Sequence, residues 1–111
     1  MNLFRLFHGT KPGEHHIRYI VKGDVNDFNV TFKCGHDCQV KQEPHIHKGW
    51  KHTFVGHDDD YVYIAAQSNK PHSAVSVMIY EDGKLVDKVS KSGDYPLVQV
   101  SGLVHQTLPL Q

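Results

Sequence analysis

The chain has 111 residues, 39% hydrophobic and 22% charged, a composition typical of one globular domain. Twelve basic and twelve acidic residues cancel at pH 7, which removes the electrostatic case for nucleic acid or an anionic membrane as a partner. No apolar run approaches the roughly 18 residues that a membrane-spanning helix needs. The unusual feature is the content of ten histidines, each able to gain a proton just below neutral pH.

Residues 1–14 are expected to form an N-terminal extension, too short and too interrupted for a secretory signal peptide. From His15 onward, apolar residues recur with a period of two, which predicts half-buried β-strands. The first strand places Ile17, Tyr19 and Val21 on one face. The second does the same with the alternating apolar residues between positions 28 and 34.

The later segments continue the strand pattern. Residues 60–67 are apolar on both faces, which is typical of a central strand. Residues 73–80 alternate, and the following Asp82-Gly83 predicts a tight hairpin. A last strand begins beside Pro96, and the lone Trp50, with Phe54 four residues on, is predicted to lie in the core.

Seven or eight short strands at regular spacing predict an all-β fold, an antiparallel β-sandwich spanning residues 15–104. A small barrel is the second choice. Residues 105–111 are expected to form a C-terminal tail.

The order of these segments resembles a known family. Tyr19-x-Val21-x-Gly23 is followed by Val30-Thr31-Phe32, by Trp50 with Phe54, and by "YVYIAAQ", "VSVMIYEDGKLV" and Gly93 before Tyr95. Over about residues 17–102, the chain resembles the soluble domains of MmpS-like membrane-associated proteins and of small Bacteroidetes lipoproteins.

The resemblance implies an immunoglobulin-like sandwich held outside the cytoplasm, near a bacterial membrane. In the mycobacterial members, such a domain assists the export of lipids or siderophores. This chain departs from the pattern in lacking an N-terminal membrane helix or lipoprotein signal, and in carrying a cluster of cysteines and histidines. The family supplies no catalytic motif.

That cluster runs from Cys34 to His52. The turn Cys34-Gly35-His36-Asp37-Cys38 closes a predicted hairpin, and its side chains offer three ligands of the kind that zinc binds. Three states remain open for the cysteines: a small disulfide, free thiols, or a zinc site formed with His36.

Two further histidines, His45 and His47, would share the outward face of an extended strand and could grip a divalent ion as a pair. Their distance from Cys38 weighs against one joint site, unless the chain bends sharply at Pro44. His52 is expected to be partly buried, because it shares the phase of Trp50 and Phe54.

The acidic turn Gly56 to Tyr61 does not space its carboxylates as calcium loops do, so we expect a solvated loop. The leading interpretation of function is a non-enzymatic interaction module, associated with the cell envelope, that binds a protein or an envelope component and holds no cofactor. A metal-binding protein using the Cys34–His52 cluster for zinc or copper is the alternative. A small thiol-dependent or metal-dependent enzyme is the third.

Overall fold

The structure is a computed structural model that describes residues 12–35 and 39–105. It confirms the prediction of an all-β chain with seven or eight strands. The eight strands are β1 (Glu14–Gly23), β2 (Phe28–Cys34), β3 (Lys41–Ile46), β4 (Trp50–His57), β5 (Tyr61–Ser68), β6 (Ser73–Glu81), β7 (Lys84–Gly93) and β8 (Leu97–Leu103).

The strands form two antiparallel four-stranded sheets packed face to face. Sheet A has the order β4-β1-β6-β7, and sheet B has the order β3-β2-β5-β8. The strand predicted to be central, β5, does lie inside sheet B, between β2 and β8. The β-sandwich is thereby confirmed, while the immunoglobulin-like assignment stays a prediction.

The core lies between the sheets, where alternating side chains of each strand meet. The residues with less than 2% exposure include Tyr19, Phe28, Phe32 and Ile64. Trp50 packs on this core with its ring centroid 5.2 Å from that of Phe32, but it is only partly buried. The centre of the sandwich is therefore built by the aromatic residues of β1 and β2, with the indole at its margin.

One buried side chain ties the two sheets together. The Tyr19 hydroxyl, which comes from sheet A, donates a hydrogen bond to the Lys33 carbonyl at 2.5 Å and accepts one from the Tyr63 N–H at 3.2 Å. Both partners belong to sheet B. Because burial disfavours the phenolate, the pKa of Tyr19 is raised well above its usual value.

The Asp82-Gly83 pair forms the predicted tight hairpin between β6 and β7. Asp82 has φ of 52° and Gly83 has φ of 85°, which is the combination that a type I′ turn requires. Aspartate and glycine tolerate positive φ better than other residues, so the local sequence selects this turn. The turn brings Asp82 to the end of the sandwich where β1 begins.

The outer faces of the two sheets differ in charge. Across sheet A, one row of outward side chains reads Lys51, Ile20, Met78 and Lys88. Across sheet B, one row reads Gln42, Thr31, Ala65 and Gln99. We call these the basic face and the neutral face. The basic face also carries Arg18 and Lys22, whereas Lys33 is the charged residue among the outward positions of β2, β5 and β8 on the neutral face.

Most of the predicted N-terminal extension and C-terminal tail, residues 1–11 and 106–111, lies outside the described residues. Among the residues that are described, no helix is long and apolar enough to cross a membrane. The first strand begins at Glu14, one residue before the predicted start of the sandwich domain.

Candidate functional site

Of the residues predicted to bind metal, the structure describes Cys34, His45 and His47, and Cys34 lies at the far end of β2 from His45. Cys34 ends β2, next to Val62 of β5, and it is disulfide-bonded. The sequence offers it one partner within the chain, Cys38, which with His36 lies outside the described residues. A disulfide sulfur is not the thiolate that zinc binds, so a zinc site at Cys34, His36 and Cys38 stays a prediction for the reduced chain only.

His45 lies near the opposite end of β2. Its imidazole Nδ1 is 2.8 Å from the Asp27 carboxylate, and the backbone N–H of His45 donates to the Asn29 side-chain oxygen at 3.1 Å. Asn29 precedes Cys34 by five residues of extended strand, or roughly 16 Å. His45 therefore lies far from Cys34, whereas the separation of His45 from Cys38 stays a prediction, because Cys38 is outside the described residues.

His45 and His47 are both exposed, with buried Ile46 between them, as the predicted alternation requires, but the segment is not the predicted extended strand. The pairing of β2 with β3 shifts register at this point, and His45 has φ of 55°. His47 follows the end of β3, and its backbone carbonyl accepts a hydrogen bond from the backbone N–H of Trp50 at 3.1 Å, which closes the next turn. Metal binding by these two residues stays a prediction.

His52 is partly buried, as expected. Its ring centroid lies 4.8 Å from that of Phe32, between Trp50 and Phe54 along β4. Burial lowers the pKa of His52, and the positive charge of Lys41 adds to this effect. The side chain therefore behaves as a packed aromatic ring, and Trp50 donates its own indole hydrogen bond to Glu43 at 3.1 Å.

One buried titratable side chain with two carboxylate partners, His15, was not selected by sequence reasoning. His15, on β1, is 7% exposed and lies at the end of the sandwich where the β4–β5 and β6–β7 turns meet. Its Nε2 is 2.8 Å from a carboxylate oxygen of Asp58, and its Nδ1 is 2.7 Å from one of Asp82. The other oxygen of Asp82 accepts the N–H of His16 at 2.8 Å, which fixes that carboxylate in place.

Because each ring nitrogen of His15 faces a carboxylate oxygen, the number of hydrogen bonds depends on the protonation state of the imidazole. A neutral imidazole has one N–H and can donate to one carboxylate only, whereas the imidazolium donates to both. Burial lowers the pKa of His15, but the hydrogen bonds to Asp58 and Asp82, together with the charges of Asp82 and Glu81, outweigh it, and the pKa is raised above its ordinary value. The raised pKa favours the imidazolium, the form that can donate to both carboxylates.

The pKa of Asp82 shifts in the matching direction. Burial raises it, but the hydrogen bond from the His16 N–H and the interactions with His15 prevail, and the pKa of Asp82 is lowered. The two shifts describe the same ion pair from its two sides.

Similar pairs account for much of the histidine content. In the part of the chain that the structure describes, five histidines have a ring nitrogen 3.5 Å or less from a carboxylate: His15, His45, His57, His72 and His105. His57 lies between Asp60 and Glu14, and His105 lies 3.2 Å from Glu81, both at the same end as His15. We call this group, His15, His57 and His105 with their carboxylates, the histidine end.

The histidine end also contains residues that could hold a cation. One ligand atom each of His15, Glu81 and Asp82 lie within 4.8 Å of one another, which suits a divalent metal ion. However, hydrogen bonds to carboxylates already engage both ring nitrogens of His15. In this structure, the hydrogen bonds of His15 to Asp58 and Asp82 link β1 to the β4–β5 turn and the β6–β7 turn.

Two sequence signals lay close to this site. The Asp82-Gly83 hairpin forms as predicted. The acidic segment, predicted as a solvated loop over residues 56–61, is a shorter turn between the end of β4 at His57 and the start of β5 at Tyr61, and its Asp60 is buried. What the sequence does not contain is the order of strands, which places the two turns on either side of His15.

In comparisons with known proteins, the chain matches no protein-family model and no curated protein, so the resemblance to MmpS-like domains stays a prediction that rests on the residues quoted for it.

Proposed function

We propose that the protein is a non-enzymatic binding module that recognises a protein or an envelope component through its neutral face. The observation that carries the proposal is the row of Gln42, Thr31, Ala65 and Gln99, which crosses all four strands of sheet B without a charge. The centre of a binding surface is typically depleted of charged residues, because a charge buried there without a partner is costly.

The shape and chemistry of the neutral face support this function. Ala65, whose side chain is small, lines an open depression of about 420 Å³ together with side-chain amides, a hydroxyl and aliphatic groups. The one carboxylate in this lining belongs to Glu43 and accepts the hydrogen bond of the Trp50 indole. Tyr63 lies in the next row and directs its hydroxyl to Gln99 at 3.3 Å. Exposed Tyr61, Leu97 and Leu103 add apolar area around the rim. Such a surface makes hydrogen bonds and apolar contacts with an uncharged partner.

The histidine end supports a role other than catalysis. A general base needs a free lone pair within reach of a substrate, and both nitrogens of His15 are hydrogen-bonded to carboxylates. We assign this end to holding the turns in place. By the resemblance alone, the binding partner belongs to the cell envelope.

The test is site-specific photo-crosslinking in cells that make the full chain. A photoreactive residue at Gln42, at the edge of the neutral row, is compared with one at Lys51, at the edge of the basic row. We expect the Gln42 position to capture a reproducible partner and the Lys51 position to capture it far less.

Matched substitutions sharpen the comparison. Thr31→Glu adds a charge in the neutral row, and Thr53→Glu adds the same charge on sheet A, beside Arg18. An unpaired buried charge costs several kcal/mol, so Thr31→Glu should lower the crosslinking yield by at least about tenfold. Thr53→Glu should leave it within about twofold. Equal yields from both faces, or no effect of Thr31→Glu, would contradict the proposal.

A further inference from the structure

The four edge strands of the sandwich are protected to different degrees. An edge strand exposes unpaired N–H and C=O groups, and proteins guard such edges with lysines, prolines or bulges. β3 contains Pro44 and a register shift, and β4 contains Lys51. β7 has Lys84, Lys88 and Lys91. These three edges therefore resist the addition of another strand.

The fourth edge strand, β8, has none of these guards. Its sequence, Leu97 to Leu103, contains no charged residue and no proline. One edge of β8 pairs with β5 along its whole length, and no described strand pairs with its other edge. Leu97 and Leu103 are 49% and 60% exposed, although both are large apolar residues.

The sequence of β8 is also complementary to itself. If two copies align antiparallel with Val100 opposite Val100, then Leu97 lies opposite Leu103 and Gln99 lies opposite Ser101. These four side chains point outward, so apolar residues pair with apolar ones and polar residues with polar ones. On the inner side, Val98 and Val100 stay in the core.

We propose that β8 joins β8 of a second copy of this chain, antiparallel about a two-fold axis at Val100. The contact uses the same surface on both copies, as a closed dimer requires. It extends sheet B from four strands to eight and doubles the neutral face. The lysines of β7 would repel those of the second copy, so the joint is confined to sheet B. This inference does not depend on the proposed function.

Sedimentation equilibrium of the full chain tests the dimer. Between about 10 µM and about 1 mM, a range that suits a short edge contact, we expect the mass to rise from 12.6 kDa toward twice that value. A wild-type chain that stays at the single-chain mass throughout would overturn the proposal.

A pair of double variants tests the register. Leu97→Lys with Leu103→Lys places two lysines opposite each other twice in the dimer, whereas Leu97→Lys with Leu103→Glu places lysine opposite glutamate at the same positions. The first should abolish association, and the second should keep the dissociation constant within about tenfold of the wild-type value. Equal behaviour of the two variants would refute the register.

Amide hydrogen exchange gives a readout that needs no variant. If β8 forms the dimer contact, the backbone N–H groups on its unpaired edge, away from β5, exchange more slowly as the wild-type concentration rises. Exchange in β3, β4 and β7 does not change. Slowing at another edge, or at none, would overturn the assignment of β8.

Discussion

The tie at His15 gives the sharpest test of the structure. We consider His15→Gln, which keeps one amide donor but removes the positive charge and the second hydrogen bond. Each bond of a buried imidazolium to a carboxylate contributes about 1.5–3 kcal/mol. The side chains of Asp58 and Asp82 remain 30% and 44% exposed, so we take about half of that for each bond.

Because glutamine can keep one neutral hydrogen bond, the expected loss in the free energy of unfolding lies between the values for one bond and for both, about 1–3 kcal/mol. In a domain of this size, such a loss lowers Tm by about 4–15 °C. His47→Gln is the matched control, because His47 is exposed and follows the end of β3. The control should shift Tm by no more than a few degrees, since surface substitutions cost about 0.5 kcal/mol or less.

The pH dependence has a definite sign. Because the pKa of His15 is raised in the folded chain, its contribution is complete below the unfolded value of about 6.5 and is lost as pH rises through the folded value. Because the pKa of Asp82 is lowered, its contribution is complete above about 3.9 and is lost as pH falls through its folded value. The stabilisation is therefore greatest between these limits.

Chemical denaturation of the wild type and His15→Gln at pH about 5.5 and about 9 measures this difference. Every other residue is the same in both proteins, so the contributions of the rest of the chain cancel in the comparison. The gap between the two proteins should be wide at the lower pH and narrow at the higher pH. A gap of the same size at both pH values would refute the assignment of His15 as a cation.

Three further outcomes are expected. Tyr19→Phe should lower the free energy of unfolding in denaturant by about 1–3 kcal/mol, because it leaves the Lys33 carbonyl and the Tyr63 backbone N–H without their shared partner. Tyr61→Phe, at an exposed position, should change it little. Equal effects of the two substitutions would contradict the hydrogen-bonded link between the sheets. Gly23→Ala should destabilise the fold by at least about 2 kcal/mol, because the added Cβ would clash with the Ala74 carbonyl oxygen and lie 2.5 Å from Phe28 Cζ. The control Gly102→Ala, where the Cβ would enter open space, should leave the thermal melt nearly unchanged. A tolerated Gly23→Ala would show that the contact relaxes. The oxidised chain should bind less zinc than the reduced chain in native mass spectrometry, because the Cys34 disulfide removes a thiolate, and equal zinc in both states would show that the cysteines take no part.

The strands could be predicted because their signal is local. Alternation at Ile17, Tyr19 and Val21 depends only on which side of a pleat each residue occupies, and Asp82-Gly83 selects its own turn. His45 shows the limit of such reasoning. The register shift that gives it positive φ arises from the pairing with β2, which the alternation within β3 does not reveal.

The histidine end could not be predicted for a related reason. His15 and Asp82 are 67 positions apart, and they meet only because β6 pairs with β1. Likewise, equal totals of basic and acidic residues conceal the difference between the two outer faces. Composition gives a sum, whereas the outer faces depend on which strand positions point outward.

The lysines of the basic face and the amides of the neutral face lie on opposite sides of the sandwich, so the two outer faces of this chain of zero net charge differ in charge. Zero net charge gives the whole molecule no attraction to an anionic layer, but the outward Lys51, Lys88 and Arg18 of the basic face would favour turning that face toward such a layer within about 8 Å at physiological salt. In that orientation, the neutral face of sheet B points away from the layer. An isoelectric protein built in this way can take up a fixed orientation at a surface without being held there by its overall charge.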